Sequence, residues 1–348
     1  MISYTDSIKK IYIELTQNCN LNCRSCFRTN WKRQPADMQE EVFKKVLENK
    51  ALAETIIIGG VGEPTAHPLF DEFSKRLAHG NMELTSNAYT WDDNTIRTMV
   101  TRYKKVTVSV DGIPSSFYAA RGFDFEVMAD NVRRLIEAKK AAAVKTPVIH
   151  AMLVLSKDNI NDVRELIPLL KKTGFARFIV SNLLPQTEED KDKITYTPYL
   201  DEKKRRFVHA WYPVASANGL PMKTPMTKFS SEHRCAFVEN EAVFITAEGN
   251  VAPCYRFAHD GLEFVFGRKK KVRAFHFGNI LDKSLQEIWD MENYIDFRYR
   301  NYASRYPSCI DCDYVECCDY ITTSEADCRA NEPSCADCLW CRELIECP

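Results

Sequence analysis

Short apolar runs rich in β-branched residues alternate with amphipathic segments over the first 185 residues. The runs predict six strands, and apolar residues spaced three or four positions apart predict five helices between them. The predicted strands are Ile11–Thr16, Thr55–Gly60, Met82–Asn87, Val106–Asp111, Val148–Leu155 and Phe175–Asn182. The predicted helices are Met38–Asn49, Leu69–His79, Trp91–Arg102, Val127–Ala142 and Ile160–Lys172. Asp37, with Glu40 three residues later, predicts a capping box at the first helix, and Gly174 is expected to end the last one.

The repeat of strand, helix and strand predicts an α/β fold with a parallel sheet and right-handed crossovers. Six strands are fewer than the eight of a closed barrel, so the pattern is compatible with an incomplete barrel and with an open sheet. In either arrangement, the chemistry is expected at the carboxyl ends of the strands.

The character of the sequence changes after residue 185. The following residues are polar and proline-containing, with one predicted helix at Leu200–Ala217. Val243–Thr246 and Val251–Tyr255 then predict a hairpin. A second hairpin is expected around Arg268–Lys271, followed by a helix at Ser284–Tyr299.

Three units are predicted from this change. They are an α/β unit over residues 1–185, a bridge over 186–232 and a small cysteine-rich unit over 233–348. From Cys309 onward the chain has little apolar material, so we expect something other than a hydrophobic core to hold it. Metal ligation is the candidate.

The charge balance argues against one class of function. The 348 residues carry 47 basic and 48 acidic side chains, whereas proteins that coat nucleic acids depend on many uncompensated Lys and Arg. The basic run Arg268–Lys271 is short and is expected on a solvated turn. No apolar stretch approaches the ~20 residues needed to cross a bilayer, and the first residues lack the order of a signal peptide. We expect a soluble cytoplasmic protein without a nucleic-acid or membrane partner.

The fourteen cysteines are unevenly distributed. Cys19, Cys23 and Cys26 lie close together, and the other eleven lie between Cys235 and Cys347. Disulfides need an oxidising compartment, which the missing export signal argues against. Thiolate ligands of metals or iron–sulfur clusters explain both the number and the clustering.

The first cysteines follow directly on the first predicted strand, in the sequence Cys19-Asn-Leu-Asn-Cys23-Arg-Ser-Cys26. Three thiolates on a tight loop can hold three irons of a 4Fe–4S cluster and leave the fourth iron without a protein ligand. An open coordination position is typical of a reactive metal site, as in catalytic zinc sites with three protein ligands. A zinc site is the alternative for this triplet taken alone.

This CxxxCxxC spacing after the first strand resembles the signature of the radical SAM superfamily, whose fold is a partial (βα)6 TIM-like barrel. The resemblance implies a 4Fe–4S cluster that binds S-adenosylmethionine and cleaves it to a 5′-deoxyadenosyl radical. Gly59-Gly60-Val61-Gly62-Glu63-Pro64 is similar to the family's segment for the amino group of S-adenosylmethionine. Glycines allow close approach of the backbone, and a carboxylate suits an ammonium group. The chain departs from the family at Ser25, where an aromatic residue is usual, and at Val61, which is an extra residue.

Other polar residues of the α/β unit fit the same resemblance. Thr107, Ser109 and Asp111 share one face of the fourth strand, and the family uses such residues for ribose hydroxyls. Asn87 ends the third strand, and Arg121 lies where the family often places an arginine for the carboxylate. A turn residue and a surface charge are the alternatives for these two. The implied S-adenosylmethionine site is Gly60, Gly62, Glu63, Asn87, Ser109, Asp111 and Arg121.

The later cysteines resemble the SPASM extension of this superfamily, which ligates two auxiliary 4Fe–4S clusters. The implied ligands are Cys235, Cys254 and Cys328 for one cluster, and Cys309, Cys312 and Cys318 for the other. The fourth ligands stay open among Cys335, Cys338 and Cys347. Two clusters need eight of the eleven thiolates, and Cys317 and Cys341 are expected to be bystanders. A pair of zinc ribbons is the alternative.

One group within the SPASM proteins is more similar than the others. The stretch from Cys254 to Arg268, the sequence His276-Phe-Gly-Asn and the tail around Cys335 and Cys338 resemble radical SAM maturases associated with tungsten-cofactor oxidoreductases. The resemblance implies hydrogen abstraction from a peptide, a protein or a cofactor precursor, with an electron donor such as ferredoxin or flavodoxin. The alternatives are a SPASM peptide maturase, which forms crosslinks or oxidises a sulfatase side chain, and a non-enzymatic zinc-ribbon binding protein.

Five further residues are left with two interpretations each. Glu14 points either into the barrel toward a substrate or to solvent at a sheet edge. Arg24 and Arg28 either raise the potential of the cluster or are solvated. His259 and His276 are candidates for mutation, although most such histidines are structural.

Overall fold

The structure is a computed structural model that describes residues 7–346 except 32 and 231. Its strands are β1 Lys10–Ile13, β2 Thr55–Ile58, β3 Met82–Ser86, β4 Lys105–Ser109, β5 Val148–Leu155, β6 Arg177–Asn182, β7 Met222–Lys223, β8 Ala242–Ile245, β9 Asn250–Ala252, β10 Gly261–Val265, β11 Arg268–Val272 and β12 Gly278–Asn279. Its helices are α1 Glu40–Asn49, α2 Phe70–Leu77, α3 Asp93–Arg102, α4 Pro114–Arg121, α5 Phe125–Ala141, α6 Val163–Thr173, α7 Glu202–His209, α8 Trp211–Ala217, α9 Ala236–Glu239, α10 Leu285–Trp289 and α11 Glu292–Tyr302. Up to β6, at least one helix joins each strand to the next.

Ten of the described strands form one sheet, in the order β12-β9-β8-β1-β2-β3-β4-β5-β6-β7. Every neighbouring pair from β8 to β7 is parallel, whereas β9 and β12 are added in antiparallel pairs. The six predicted strands are present in sequential order, and the sheet runs from edge to edge without closing. The predicted α/β fold with an incomplete barrel is confirmed.

The sheet extends beyond the six predicted strands on both sides. β7 pairs with β6, and β8 pairs in parallel with β1, where Lys10 lies opposite Ala242. The sequence predicts β8 only as half of a hairpin, and that hairpin is present because β9 folds back on β8. The pairing of β8 with β1 joins distant parts of the chain, so a local hydrophobic pattern does not reveal it.

The two faces of the sheet bury different material. Alternate residues of β1, β2 and β8 pack with the helices in the main core. Tyr12, Ile57 and Phe244 point to the opposite face, where they pack with Phe237 and Tyr255 of the C-terminal region. The C-terminal region therefore covers part of the inner face of the incomplete barrel.

The single helix predicted at Leu200–Ala217 is wrong, since two helices occupy this stretch. α7 and α8 meet at Ala210. Pro213 has no N–H group and cannot bond to the carbonyl of His209, so a continuous helix would lose a hydrogen bond at this point.

The helix predicted at Ser284–Tyr299 is also divided, into α10 and α11, because Met291 has an extended backbone with ψ of 137°. α4 was not predicted. It begins with Pro114, a residue whose fixed φ suits the first helical position. Among the helices of the described residues, none combines the length and the apolar character needed to cross a membrane.

The capping box predicted at Asp37 is wrong, whereas the helix end at Gly174 is confirmed. Gln39 is the N-cap of α1 and makes no side-chain cap. Asp37 instead accepts hydrogen bonds from the Thr16 hydroxyl and from the Asn18 amide, the latter at 2.9 Å. The loop after β1 thus uses this carboxylate. Gly174 ends α6 with a φ of 109°, in the left-handed region.

The basic run Arg268–Lys271 is not the solvated turn that the sequence predicts. It lies in β11, which forms the second hairpin with β10. Alternation along the strand points Lys269 and Lys271 outward and Lys270 inward. Lys270 is buried and pairs with Asp337 at 2.5 Å, so this lysine belongs to the interior of the C-terminal region.

Candidate active site

Cys19, Cys23 and Cys26 lie on the loop that follows β1, at the carboxyl edge of the sheet, and all three are partly exposed. Burial raises the pKa of Cys19 to about 11 and also raises that of Cys23. A neighbouring thiol adds to the effect in each case. Ligating thiols must lose their protons, so a metal that binds here displaces them.

Arg28 stabilises this loop by hydrogen bonds to its backbone. Its guanidinium donates to the carbonyl oxygens of Gln17 at 3.2 Å and of Leu21 at 2.9 Å. Arg24, in contrast, is half-exposed and faces Asp158 at 3.9 Å. Of the two arginines near the cysteines, Arg28 is the one whose charge is held against the loop.

The loop offers three thiols as ligands. A 4Fe–4S cluster binds each thiolate at a different iron. Three thiols on one loop can therefore hold three irons of such a cluster, as the sequence implies.

Arg121 lies beside Cys23 and is not a surface charge. Its side chain is 12% exposed, pairs with Asp111 at 2.6 Å and donates to Sγ of Cys23 at 3.9 Å. Asp111 also accepts the backbone N–H of Val154 at 2.9 Å. Burial lowers the pKa of Arg121, but the charges of Asp111 and Cys23 raise it by more. The cation can therefore stabilise negative charge at this edge of the site.

Asn87 contacts both Glu63 and Cys19. The amide nitrogen of Asn87 lies 3.7 Å from Sγ of Cys19, and its backbone N–H donates to Glu63 at 2.7 Å. Glu63 is 3% exposed and also accepts the hydroxyls of Ser86 and Thr65, each at 2.7 Å. Burial raises the pKa of Glu63 in spite of these donors. The carboxylate is held by its own chain, and its contact with an ammonium group stays a prediction.

The glycine segment approaches the residues that follow β1 too closely for any side chain. Gly60 has a φ of 132°, and a Cβ there would lie 2.7 Å from Cγ of Glu14. A Cβ on Gly62 would lie 2.2 Å from the Thr16 carbonyl oxygen and 2.5 Å from that of Asn18. Glycine is needed at both positions for these reasons.

Gly62→Ala is expected to destabilise the protein by at least about 1–3 kcal/mol, because both clashing atoms belong to the backbone. It should also weaken S-adenosylmethionine binding more than tenfold, about 1.4 kcal/mol. Thermal unfolding and equilibrium dialysis measure the two effects. Gly80→Ala is the matched control, since nothing lies within 4 Å of its added Cβ. Equal stability and equal S-adenosylmethionine affinity of the two variants would contradict the claim that position 62 requires glycine.

Ser109 and Ser25 approach the site from two other elements. Ser109 is half-buried at the carboxyl end of β4, and Thr107 on the same face is 4% exposed. Ser25, which replaces the usual aromatic residue, donates to Asp190 at 2.9 Å and ties the cysteine loop to the segment after β6. Phe27, the nearest aromatic residue, is 43% exposed.

Five late cysteines form what we call the inner cysteine group. They line one cavity together with aromatic residues of the inner face, and three of them are fully buried. The members are Cys235, Cys254, Cys335, Cys338 and Cys341. Burial and the neighbouring thiols raise the pKa of Cys254 above its ordinary range. The group can supply four thiolates to one auxiliary cluster.

The outer cysteine group consists of Cys309, Cys312, Cys318 and Cys328. Cys312 and Cys328 are exposed, whereas burial raises the pKa of Cys309 to about 12, with Asp337 and Cys328 contributing. Cys317 is exposed and its thiol contacts the carbonyl of Tyr314 at 3.4 Å.

The positions of two late cysteines bear on the implied ligand sets, which stay predictions. Cys328 is exposed, and its charge contributes to the raised pKa of Cys309. Cys341, which the sequence predicts to be a bystander, is buried within the inner group. Cys347 lies outside the described residues.

Four buried charged residues, the buried ion network, lie between the two cysteine groups. Arg256, Glu263, Lys270 and Asp337 are each at most 5% exposed. Arg256 pairs with Glu263 and, at 3.1 Å, with Asp337, which also pairs with Lys270. A hydrogen bond with Cys341 is the main cause that lowers the pKa of Cys338 to about 7, and Arg256 adds to it. The network therefore acts electrostatically on the inner group.

Sequence reasoning left one polar cluster largely unexplained. Glu14 is completely buried, so the solvent-exposed interpretation is wrong. It contacts Nε2 of His259 at 2.9 Å and Gln17 at 3.3 Å, and Gln17 reaches Glu248 at 2.9 Å. The signal available in the sequence was the phase of Glu14 with Tyr12, which faces the same side of β1.

Comparison with known proteins agrees with this geometry. The profile of the Radical SAM superfamily matches residues 13–189, and that of SPASM, an iron–sulfur cluster-binding domain, matches residues 235–313. The chain is 35% identical over 349 aligned residues to the tungsten-containing aldehyde ferredoxin oxidoreductase cofactor-modifying protein of Pyrococcus furiosus. That match covers 98% of this chain and 97% of the relative.

Solved structures show the same fold at low sequence identity. SuiB of Streptococcus suis bound to the precursor peptide SuiA has a TM-score of 0.65 and 16% identity, covering 96% of this chain and 76% of that one. Native anSMEcpe with bound AdoMet has a TM-score of 0.61 and 18% identity, covering 96% of this chain and 94% of that one. Two profile matches, a full-length relative and these folds lead to one conclusion: the chain belongs to the radical SAM superfamily, carries a C-terminal SPASM domain, and is an iron–sulfur enzyme that depends on S-adenosylmethionine.

Proposed function

We propose that this enzyme abstracts hydrogen from a peptide, a protein or a cofactor precursor during maturation of a tungsten-containing oxidoreductase. The observation that carries the proposal is the 35% identity to the cofactor-modifying protein over nearly the full length of both chains. A match of that extent includes the cysteine loop, the glycine segment and the C-terminal cysteines together.

We further propose which residues hold the cofactors. Cys19, Cys23 and Cys26 hold the cluster that, when bound, supplies the electron for cleavage of S-adenosylmethionine. The glycine segment and the residues around it orient that molecule, with Arg121 beside the cysteines. The proposed contacts are Gly60, Gly62, Glu63, Asn87, Ser109, Asp111 and Arg121.

Two auxiliary clusters fit the two cysteine groups. The inner group supplies the ligands of the first from Cys235, Cys254, Cys335, Cys338 and Cys341. Cys309, Cys312, Cys318 and Cys328 of the outer group hold the second. The proposed units are the radical SAM barrel over residues 1–185, the bridge over 186–232 and the SPASM unit over 233–348. A ferredoxin or flavodoxin is the proposed electron donor.

The cluster count has a direct test. Protein purified without oxygen should be brown and should contain about twelve irons per chain, four for each of three clusters. Iron and zinc analysis on the same sample measures this. About eight irons would contradict the second auxiliary cluster, and a colourless protein that contains zinc would contradict all three.

The substrate class is tested by supplying candidate acceptors to the reduced enzyme with S-adenosylmethionine. We expect 5′-deoxyadenosine to form several-fold above background when the acceptor is the tungsten oxidoreductase isolated from cells that lack this protein. A mass change in that oxidoreductase or its cofactor should accompany it. Stimulation only by a short precursor peptide would instead favour the peptide maturase.

A further inference from the structure

A buried contact joins the C-terminal region to the proposed S-adenosylmethionine site. Glu14 follows β1 and is 0% exposed, and His259 follows β9 with 7% of its side chain exposed. Nε2 of His259 lies 3.0 and 2.9 Å from the two carboxylate oxygens of Glu14. The two residues are 245 positions apart in the chain and meet next to the end of β1.

Glu14 supports the glycine segment directly. One of its carboxylate oxygens accepts the backbone N–H of Val61 at 3.1 Å. The side chain also lies against Gly60, where a Cβ would be 2.9 Å from Cβ of Glu14. The position of the carboxylate therefore sets where the backbone of the segment can lie.

The hydrogen bonds define the protonation of His259. Nδ1 lies 2.7 Å from the guanidinium of Arg33, and an arginine can only donate, so Nδ1 is the acceptor. Nε2 then carries the hydrogen of a neutral imidazole, which is what the carboxylate of Glu14 requires. The ring of Trp31 packs edge-on against His259 at 4.9 Å, which further restricts the imidazole.

Glu248 and Ala247 complete the hydrogen bonds around Glu14 and His259. Glu248 pairs with Arg33 at 3.0 Å and accepts the Gln17 amide at 2.9 Å. The backbone N–H of Ala247, at the end of β8, approaches Glu14 at 3.4 Å. A buried carboxylate without donors is costly, and here the C-terminal region supplies two of the donors, His259 and Ala247.

We infer that His259 is a positioning residue for S-adenosylmethionine: by donating to Glu14 it fixes the carboxylate that holds Val61 and Gly60 in the binding segment. This inference deepens the proposed function and rests on the assignment of that segment to S-adenosylmethionine. In this inference, the SPASM region contributes to S-adenosylmethionine binding in addition to holding auxiliary clusters.

Two isosteric variants test the inference. In His259→Gln the amide nitrogen lies where Nε2 lies, so donation to Glu14 is retained. In His259→Asn the amide nitrogen corresponds to Nδ1 and does not reach Glu14. We expect His259→Asn to raise the dissociation constant for S-adenosylmethionine about tenfold or more, and His259→Gln to stay within about threefold of wild type.

Binding is measured by equilibrium dialysis on the oxidised, cluster-containing protein, so turnover does not enter. His276→Asn is the control, because His276 bonds the Ala258 carbonyl at 3.0 Å and makes no hydrogen bond to Glu14 among the described residues. Iron content and the melting temperature are recorded for every variant.

The outcomes separate the inference from the proposed function. Weak binding in His259→Asn with rescue in His259→Gln supports the inference. Equal affinities of the two variants overturn it, including the case in which both lower only the melting temperature. If His259→Asn does not fold, Glu14→Gln replaces it, and unchanged affinity there also overturns the inference. Wild-type protein that binds S-adenosylmethionine but acts on no tungsten oxidoreductase overturns the proposed substrate and leaves the inference supported or refuted by the variants alone.

Discussion

Replacement of Cys23 by alanine should abolish cleavage of S-adenosylmethionine. In the proposed assignment, the cluster of the early loop has three protein ligands, and the loss of Cys23 leaves two. Two thiolates do not hold a cluster with one defined open iron. The thiol also lies 3.9 Å from Arg121, so its removal takes one negative partner from this buried cation. We expect 5′-deoxyadenosine to fall at least about 1,000-fold, to background.

The measurement is the yield of 5′-deoxyadenosine after reduction, together with the iron content. Iron should fall by about four per chain in Cys23→Ala, since the proposed auxiliary clusters keep their ligands. Cys317→Ala is the matched control, because Cys317 is exposed and belongs to neither cysteine group. Equal 5′-deoxyadenosine from Cys23→Ala and wild type would refute the mechanism.

Removal of Asp337 should have the largest effect on stability. Asp337 pairs with Lys270 at 2.5 Å and with Arg256 at 3.1 Å, and all three side chains are at most 4% exposed. Asp337→Ala leaves Lys270 buried without an anion, which costs about 3–5 kcal/mol. The expected result is a large fall in the melting temperature of protein with matched iron content.

An ion pair between the hairpin and an exposed carboxylate provides the control. Glu316 lies 3.3 Å from Arg268 and its side chain is 79% exposed, so Glu316→Ala should cost less than about 1 kcal/mol. A double change, Asp337→Leu with Lys270→Met, should recover part of the stability because no charge is then left unpaired. Similar melting temperatures for Asp337→Ala and Glu316→Ala would contradict this account.

The same network predicts the direction of the pH dependence. Burial raises the pKa of Asp337, but Lys270 and Arg256 lower it by more, so it lies below the ordinary value. A carboxylate with a lowered folded pKa contributes stability at neutral pH and loses that contribution as the pH falls through its titration range. Wild type should therefore lose more stability than Asp337→Ala upon acidification.

The parts of the site that are contiguous in the chain could be predicted from the sequence. The spacing of Cys19, Cys23 and Cys26 and the glycines after β2 are local features. Backbone geometry restricts the conformations that such short segments can adopt. The prediction of a capping box at Asp37 was wrong because this side chain accepts a hydrogen bond from Asn18 in the loop after β1. The prediction of a solvated turn at the basic run was wrong because strand alternation points Lys270 inward, where it pairs with Asp337.

The sequence by itself determined the α/β class, the parallel sheet and the CxxxCxxC spacing of the cysteine loop, since each follows from periodicity or spacing within a few tens of residues. Only the tertiary structure decided that Cys235 and Cys254 line one cavity with Cys338, because its fold brings distant segments of the chain together. It also decided that β8 pairs with β1 and thereby brings His259 to Glu14. Burial and long-range pairing select among arrangements that the local pattern does not distinguish.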